Sequence, residues 1–441
     1  MRSFIETLKN IYKIEDLRAR ILYTLGILLI YRLGTEVVLP GIDPTELEGL
    51  RNQTESGVMG LLDMFSGGAF SNASVFALGI MPYISASIII QLLGIAVPYF
   101  QRLQREGESG RRKMNQITRY LTVAILLLQG PSYIANLRIQ APEAFHAGFS
   151  SVAAVIILTA GTMFVMWLGE RITDKGIGNG ISLIIMIGII ARLPFATLAE
   201  FSGRLEQGGM VSFLLEIVVL FFVFMATILL VQGTRRIPVQ YAKRIVGNKQ
   251  YGGVRQYIPL KVNAAGVMPI IFAQALVVIP ITVAGFASSE SLSGFAAAFA
   301  NIQGLWYNFT LAVLIILFNY FYTAITINPV QMAEDMKKNG GFIPGVKPGR
   351  KTVEFLDTIM SRITLPGSIF LAIVAIMPAL AMIAGVNNQF AQFYGGTSLL
   401  MMVGVVLDTL QQIESHLLMR HYDGLMKSGR IKGRAGSAAA I

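Results

Sequence analysis

The chain has 441 residues, 54% of them hydrophobic and only 14% charged, with a mean hydropathy of +0.60 and a formal net charge of +11. That balance excludes an ordinary soluble domain and reads as an integral membrane protein. The absence of cysteine excludes disulfides and thiolate metal sites, and the three histidines, His146, His416 and His421, lack ligand spacing, so no metal or other cofactor is expected.

In chain order, residues 1–20 are too polar for the apolar region of a signal peptide and lack a small-residue cleavage site, so they are expected to stay on the mature chain. Phe4, Ile5, Leu8, Ile11, Tyr12 and Leu17 recur at helical spacing, the pattern of an amphipathic helix lying on the cytosolic membrane surface. About ten apolar stretches follow, each near the roughly 20 residues that cross a bilayer core. They are 21–38, 75–97, 117–134, 152–167, 181–198, 213–231, 267–286, 311–327, 363–383 and 399–418. With the N-terminus cytosolic, about 31 of the 36 lysines and arginines fall at the inner face, which sets the orientation with both termini inside. Arg51, Arg138, Arg192 and Arg204 are then outside and Arg32 lies within a span.

Between the first two spans, "GLLDMFSGGAFSNASVF" at 60–76 contains an apolar helix that would end at Gly67 and Gly68, too short to cross. It reads either as a re-entrant segment capping a cavity or as an ordinary extracellular loop. Inside the apolar run of the second span lies "GIMPYISAS" at 79–87, and 187 positions later "GVMPIIFAQ" at 266–274 repeats its pattern at the seventh. The two spans run in opposite directions, each second in its set of five, which is the mark of an inverted-topology repeat. Their prolines are expected to weaken each helix ladder and let it bend.

Two long inside loops, 235–265 and 331–362, are basic. The first interleaves Arg235, Arg236, Lys243, Arg244, Lys249 and Arg255 with Tyr241, Tyr251 and Tyr257, a mix suited to phosphates and stacked bases, although topology alone also demands basic inside loops. The second carries Lys347 and Arg350 around "GGFIPGVKPG", where Val346 stands in place of the lysine and hydroxyl pair of a phosphate cradle. "GIGNG" at 176–180 follows no soluble strand and reads as a turn between spans, so nucleotide binding is excluded. Residues 426–441 read as a cytosolic tail.

"MFSGGAFSNASVFALGIMPYISASIIIQLL" (64–93), "EGESGRRK" (106–113), "GTMFVMWLGERITDKGIGNGIS" (161–182), "PLKVNAAGVMP" (259–269) and "YGGTSLLM" (394–401), taken in order, closely resemble the bacterial SecY family, channel subunits of the Sec protein translocase. The resemblance runs almost end to end. It implies an all-α membrane protein of ten transmembrane helices in two inverted-repeat halves of five, at 21–205 and 206–425, with a re-entrant plug helix at about 60–72. Carried onto this chain, the plug falls on Leu61, Leu62, Met64, Phe65, Ser66, Gly67 and Gly68. The pore ring falls on Ile80, Ile84, Ile181, Ile185, Ile271 and Met401, and the lateral gate on Pro82, Ser85, Gln91, Pro269 and Gln274. Docking of cytosolic partners falls on Arg235, Arg236, Lys243, Arg244, Arg255, Lys347 and Arg350. The residues agree in one respect: Ile80/Ile84 and Ile181/Ile185 are i, i+4 pairs, each presenting a narrow apolar face.

The family also implies SecE and SecG beside the channel, the SecA motor and the ribosome as docking partners, and signal peptides, unfolded secretory chains and membrane lipid as what the channel handles, in a bacterial plasma membrane. The chain departs from the family pattern at Lys347, where arginine is usual, and at Met401, where isoleucine or a similar residue is usual. Lysine keeps the charge and loses the planar fork. A secondary transporter with inverted repeats is the rival reading, but it needs ionisable groups in the membrane, and only Asp408, Glu216, Arg32 and Arg192 are candidates. A protease is a weaker rival still, because Asp408 has no second aspartate within a span, and adjacent Ser415 and His416 point apart on a helix.

Overall fold

In the computed structural model the described residues are 14–47, 50, 58–145, 150–206, 209–241, 244–246, 249–251, 255–274, 276–277 and 303–427. Most of the expected N-terminal amphipathic helix, Lys243, the seventh predicted span beyond residue 277 and the tail beyond residue 427 lie outside the described residues. The helices are α1 (Glu15–Thr35), α2 (Val58–Phe65), α3 (Met81–Ala96), α4 (Pro98–Arg105), α5 (Glu108–Gln140), α6 (Ser151–Lys175), α7 (Gly180–Glu206) and α8 (Met210–Gln232). They continue with α9 (268–274), α10 (Leu305–Thr326), α11 (Pro329–Lys338), α12 (Arg350–Ile383), α13 (Asn388–Ala391) and α14 (Gly396–Lys427). Among the described residues, seven helices are long and apolar enough to cross a membrane: α5, α6, α7, α8, α10 counted through α11, α12 and α14. The pair α3 and α4 passes the same test only when taken together, and the 100° turn between its parts makes it either a broken span or a re-entrant loop. The turn has a local cause: Pro98 disfavours a helical residue before it, and Val97 is extended at φ −111°, ψ 122°.

The second predicted span starts later than its hydropathy does, and its proline has a different role from the expected one. The helix begins only at Met81, so Pro82 sits in the first turn, where its missing N–H is no loss and its fixed φ favours the helix. Gly79 enters that turn at φ +52°. The second copy has the same build: Gly266 at φ +65°, then a helix from residue 268 with Pro269 second in it. The repeated Gly-x-Met-Pro pattern is therefore a helix start in both places, and neither proline is a kink.

The two basic inside loops also differ from expectation, because they fold as a sheet with its own core. Strands β1 (Thr234–Tyr241) and β4 (Arg255–Lys261) pair antiparallel, with Ile237 opposite Ile258, and β5 (Gly341–Phe342) joins the other edge of β1. A second hairpin pairs β2 (Arg244–Val246) with β3 (Lys249–Tyr251). Along β1 the pattern has the strand period of two: Ile237 and Val239 are buried, Arg236 and Pro238 exposed. Those two side chains pack with Leu260, Ile343, Ala333 and Met336 of α11, and Leu356 and Met360 of α12.

The described residues divide into two compact units. One draws on those within 1–47, 65–188 and 405–441, the other on those within 48–64 and 189–404. The second unit's core is a stripe on α10, Tyr307, Leu311 and Ile315, packed with Leu371, Val374 and Ala375 of α12, Leu399 and Leu400 of α14, and Ile270 and Ala273 of α9. In the first unit the "GIGNG" turn is a junction. Ile177 N donates to Thr24 Oγ1 of α1 (3.1 Å), Gly178 N to Gln412 Oε1 of α14 (2.8 Å) and Gly180 N to Thr173 Oγ1 of α6 (2.9 Å). Gly178 accommodates this at φ +83°.

Because the sheet has a core of its own, Ile237→Ala should cost it about 2–5 kcal/mol. Amide hydrogen exchange should accelerate in β4 and α11 and stay unchanged in α10; uniform acceleration would show that the sheet is no separate layer.

Candidate functional site

After α2 the chain turns at Gly67 (φ +68°) and Gly68 (φ +93°) and stays non-helical through residue 80. An exposed loop would be solvated. Here Ser66, Ala69, Phe70, Ser71, Ala73, Ser74, Phe76 and Ala77 are all buried. Buried irregular backbone must find partners for its polar groups, and in the first unit they come from the segment's own turns, such as Asn72 N to Gly68 O and Ser74 N to Ala69 O, and from three side chains of flanking helices. Tyr31 of α1 donates to Ser66 O (3.2 Å), Arg32 Nη1 to Gly67 O (2.6 Å) and Tyr133 of α5 to Phe70 O (2.9 Å). The segment satisfies itself in part: Phe70 N donates to Ser66 Oγ (3.1 Å) and Ser71 Oγ to Gly68 O (3.2 Å). Leu39 N donates to Ala73 O and Val75 N to Val37 O, both at 2.9 Å, which closes the segment onto the end of α1.

Aromatic contacts reinforce these tethers. The Tyr31 and Phe76 rings stack at 6.1 Å, and Phe70 meets Tyr133 edge-on at 4.9 Å. Gly67 lies so close to α7 that a Cβ there would come within 2.9 Å of Gly188 Cα. Tyr31, Tyr133 and Gly188 escaped the sequence reading. Arg32 carried a visible mark, a charge within a span.

In the second unit two charge clusters stand out. Asp63 of α2, fully buried, pairs with Arg192 of α7. Arg204 of α7 binds two buried carboxylates, Glu200 (Nε to Oε1, 2.8 Å) and Glu216 of α8 (Nη2 to Oε1, 2.6 Å), and donates to Gly385 O (2.7 Å). Glu200 Oε2 also accepts from Asn387 N (2.8 Å), and the Tyr394 hydroxyl donates to Glu216 O (2.8 Å). Burial, reinforced by the Glu216 charge, pushes the Tyr394 phenol above its usual value, so it remains a donor. Glu216, one of the few ionisable groups a transporter reading could use, is thus engaged in a structural knot.

Of the expected ring residues, Ile80 is buried at the N-cap of α3 and Ile84, one turn on, is half-buried. On α7 Ile181 is half-buried, close to Gly169 of α6, and Ile185 is buried. These four belong to the first unit; half-buried Ile271 and buried Met401 belong to the second. Among the expected gate residues, Pro82 and Pro269 are buried helix-start residues and Ser85 is half-buried. Gln91 lies within 3.4 Å of Ser87 on the same helix, while Gln274 Oε1 accepts from Thr397 Oγ1 of α14 (3.3 Å). Of the expected plug residues, Met64 and Phe65 are buried and the side chains of Leu61 and Leu62 lie outside the description. Arg235, Arg236, Lys347 and Arg350 are exposed, Arg350 beside Glu354 at 3.5 Å. Arg244 and Arg255 lie on β2 and β4, their side chains outside the description.

Apolar helices long enough to cross a membrane, interrupted by a buried non-helical segment, define a multi-pass helical membrane protein. The chain belongs to the SecY family, which matches residues 74–410. The protein translocase subunit SecY of Streptomyces scabiei is 45% identical over 433 residues, covering 94% of this chain and 98% of that protein. Two solved structures share the fold. One, described under the statement that the plug domain of the SecY protein stabilises the closed state of the translocation channel and maintains a membrane seal, has a TM-score of 0.58 at 18% identity, covering 90% of this chain and 92% of its own. The other, Sec61 in the canine ribosome–channel complex from the endoplasmic reticulum, has a TM-score of 0.56 at 17% identity, with the same coverage.

The Arg204 knot sets a stability test. Arg204→Met leaves two buried carboxylates without their cation and should cost about 3–5 kcal/mol. The thermal midpoint in detergent should fall and recover in part when Glu216→Gln is added; no fall would mean that the carboxylates are solvated in the folded protein.

Proposed function

We propose that this chain is the protein-conducting channel of a translocase, passing unfolded polypeptides across a bacterial plasma membrane and releasing apolar segments sideways into lipid. The observation that carries this is kinship over 94% of the chain with a named translocase subunit. In this reading ten helices span the membrane, both termini face the cytosol, and α2 with the buried segment after it is the plug. The ring is Ile80, Ile84, Ile181, Ile185, Ile271 and Met401. Apolar side chains exclude water and ions by dewetting yet bind no particular sequence, which suits a pore that must pass any chain.

The lateral gate in this proposal runs along α3 and α9, with Ser85, Gln91 and Gln274 as polar groups favouring closure. Both helices begin at Gly-x-Met-Pro, with Pro82 and Pro269 in their first turns, so the start of each is preset by its backbone and motion is carried by the helix beyond. SecE and SecG flank the channel, and SecA and the ribosome supply the drive from the cytosol. Docking uses the basic β-layer, where Arg235 and Arg236 of β1 and the Lys347–Arg350 tip are exposed on a scaffold packed from below.

Two experiments test this. Ile84→Asn with Ile185→Asn should hydrate the ring and raise resting ion conductance in planar bilayers; an unchanged leak would move the seal elsewhere. Lys347→Glu with Arg350→Glu should abolish motor-driven import of a secretory precursor into proteoliposomes while the thermal midpoint holds, since both side chains are exposed. Loss of assembled complex to the same extent would make them structural.

A further inference from the structure

Asp63 is the one charged residue of α2, whose sequence is VMGLLDMF. Its side chain is fully buried, and its cation, Arg192 of α7, is 29% exposed at the side chain. The tethers of the following segment do not involve this pair: Tyr31, Arg32 and Tyr133 hold backbone carbonyls at residues 66, 67 and 70. An apolar octapeptide helix needs no carboxylate to stay buried. A carboxylate there is costly unless paired, so the pair makes the placement of α2 depend on Arg192.

Ionic and apolar contacts respond to water in opposite ways. Attraction between two unit charges falls about twentyfold from a dry interior to bulk water, whereas apolar association requires water. A helix held by both loses mainly its ionic hold when its surroundings flood. We propose that Asp63 and Arg192 form a water-released latch that fixes α2 to α7 while the channel is dry and lets go when an entering polypeptide carries water inward. Both are positioning residues, and the inference rests on the reading of α2 as the plug.

The test uses the full chain with its copurified membrane subunits in planar bilayers. Asp63→Asn keeps the shape and removes the charge. It should raise the resting open probability by roughly a hundred- to several-thousandfold, the factor that loss of one partner of a buried ion pair carries. Arg192→Gln should act alike, Arg192→Lys should stay near the unmodified channel, and the exchange of Asp63→Arg with Arg192→Asp should restore a quiet channel. A merely structural pair would lower the thermal midpoint in these variants without changing resting current. If Asp63→Asn fails to assemble, the exchanged pair decides: quiet channels support the latch, leaky ones overturn it. Resting current in an assembled Asp63→Asn channel equal to that of the unmodified one also overturns it. The unmodified protein separates this from the channel reading, because polypeptide-dependent current in it upholds the channel even where the latch fails, and its absence removes both.

Discussion

A peptide carbonyl or amide in hydrocarbon has no water to turn to, and that constraint organises this chain. Wherever the chain leaves the helix among its membrane helices, something else must meet its polar groups. Between α2 and α3 that duty is shared between the segment's own turns and Tyr31, Arg32 and Tyr133, which reach from two helices to three successive parts of it.

The same constraint explains where glycine and proline are placed. A turn among packed helices must be tight and must spend few amides. Gly79 and Gly266 supply left-handed backbone, and Pro82 and Pro269 open helices at positions whose N–H would have had no partner. Pro98 uses the other property of proline, stopping α3 by holding Val97 extended. Gly67 and Gly188 serve approach, since a side chain on Gly67 would collide with the α7 backbone.

Charge is sorted by the same logic. The buried ions have counter-ions: Asp63 with Arg192, and Glu200 and Glu216 with Arg204. Exposed cations stand on the β-layer and beside it: Arg235 and Arg236 on strand β1, Lys347 on the turn before α12 and Arg350 at the start of that helix. A basic surface on a packed sheet presents its charges in fixed register, at lower entropic cost to a partner than a flexible tip would impose.

By itself the sequence determined the class, because hydropathy over windows of about 20 residues is local and the bilayer demands it. It also held the family, in motifs long enough to be specific, and it singled out Arg32, Arg192 and Glu216 as unusual. It could not say what those charges meet, since Gly67 lies 35 residues from Arg32 and Gly385 lies 181 from Arg204. Nor did it reveal the sheet, whose strands are short, basic and interrupted by Pro238 and Pro259, so that their alternation acquires meaning only when α11 and α12 cover one face. The two prolines show the limit most plainly: composition placed them inside apolar runs, and only the backbone turn before each, fixed by packing of the preceding segment, made them beginnings instead of breaks.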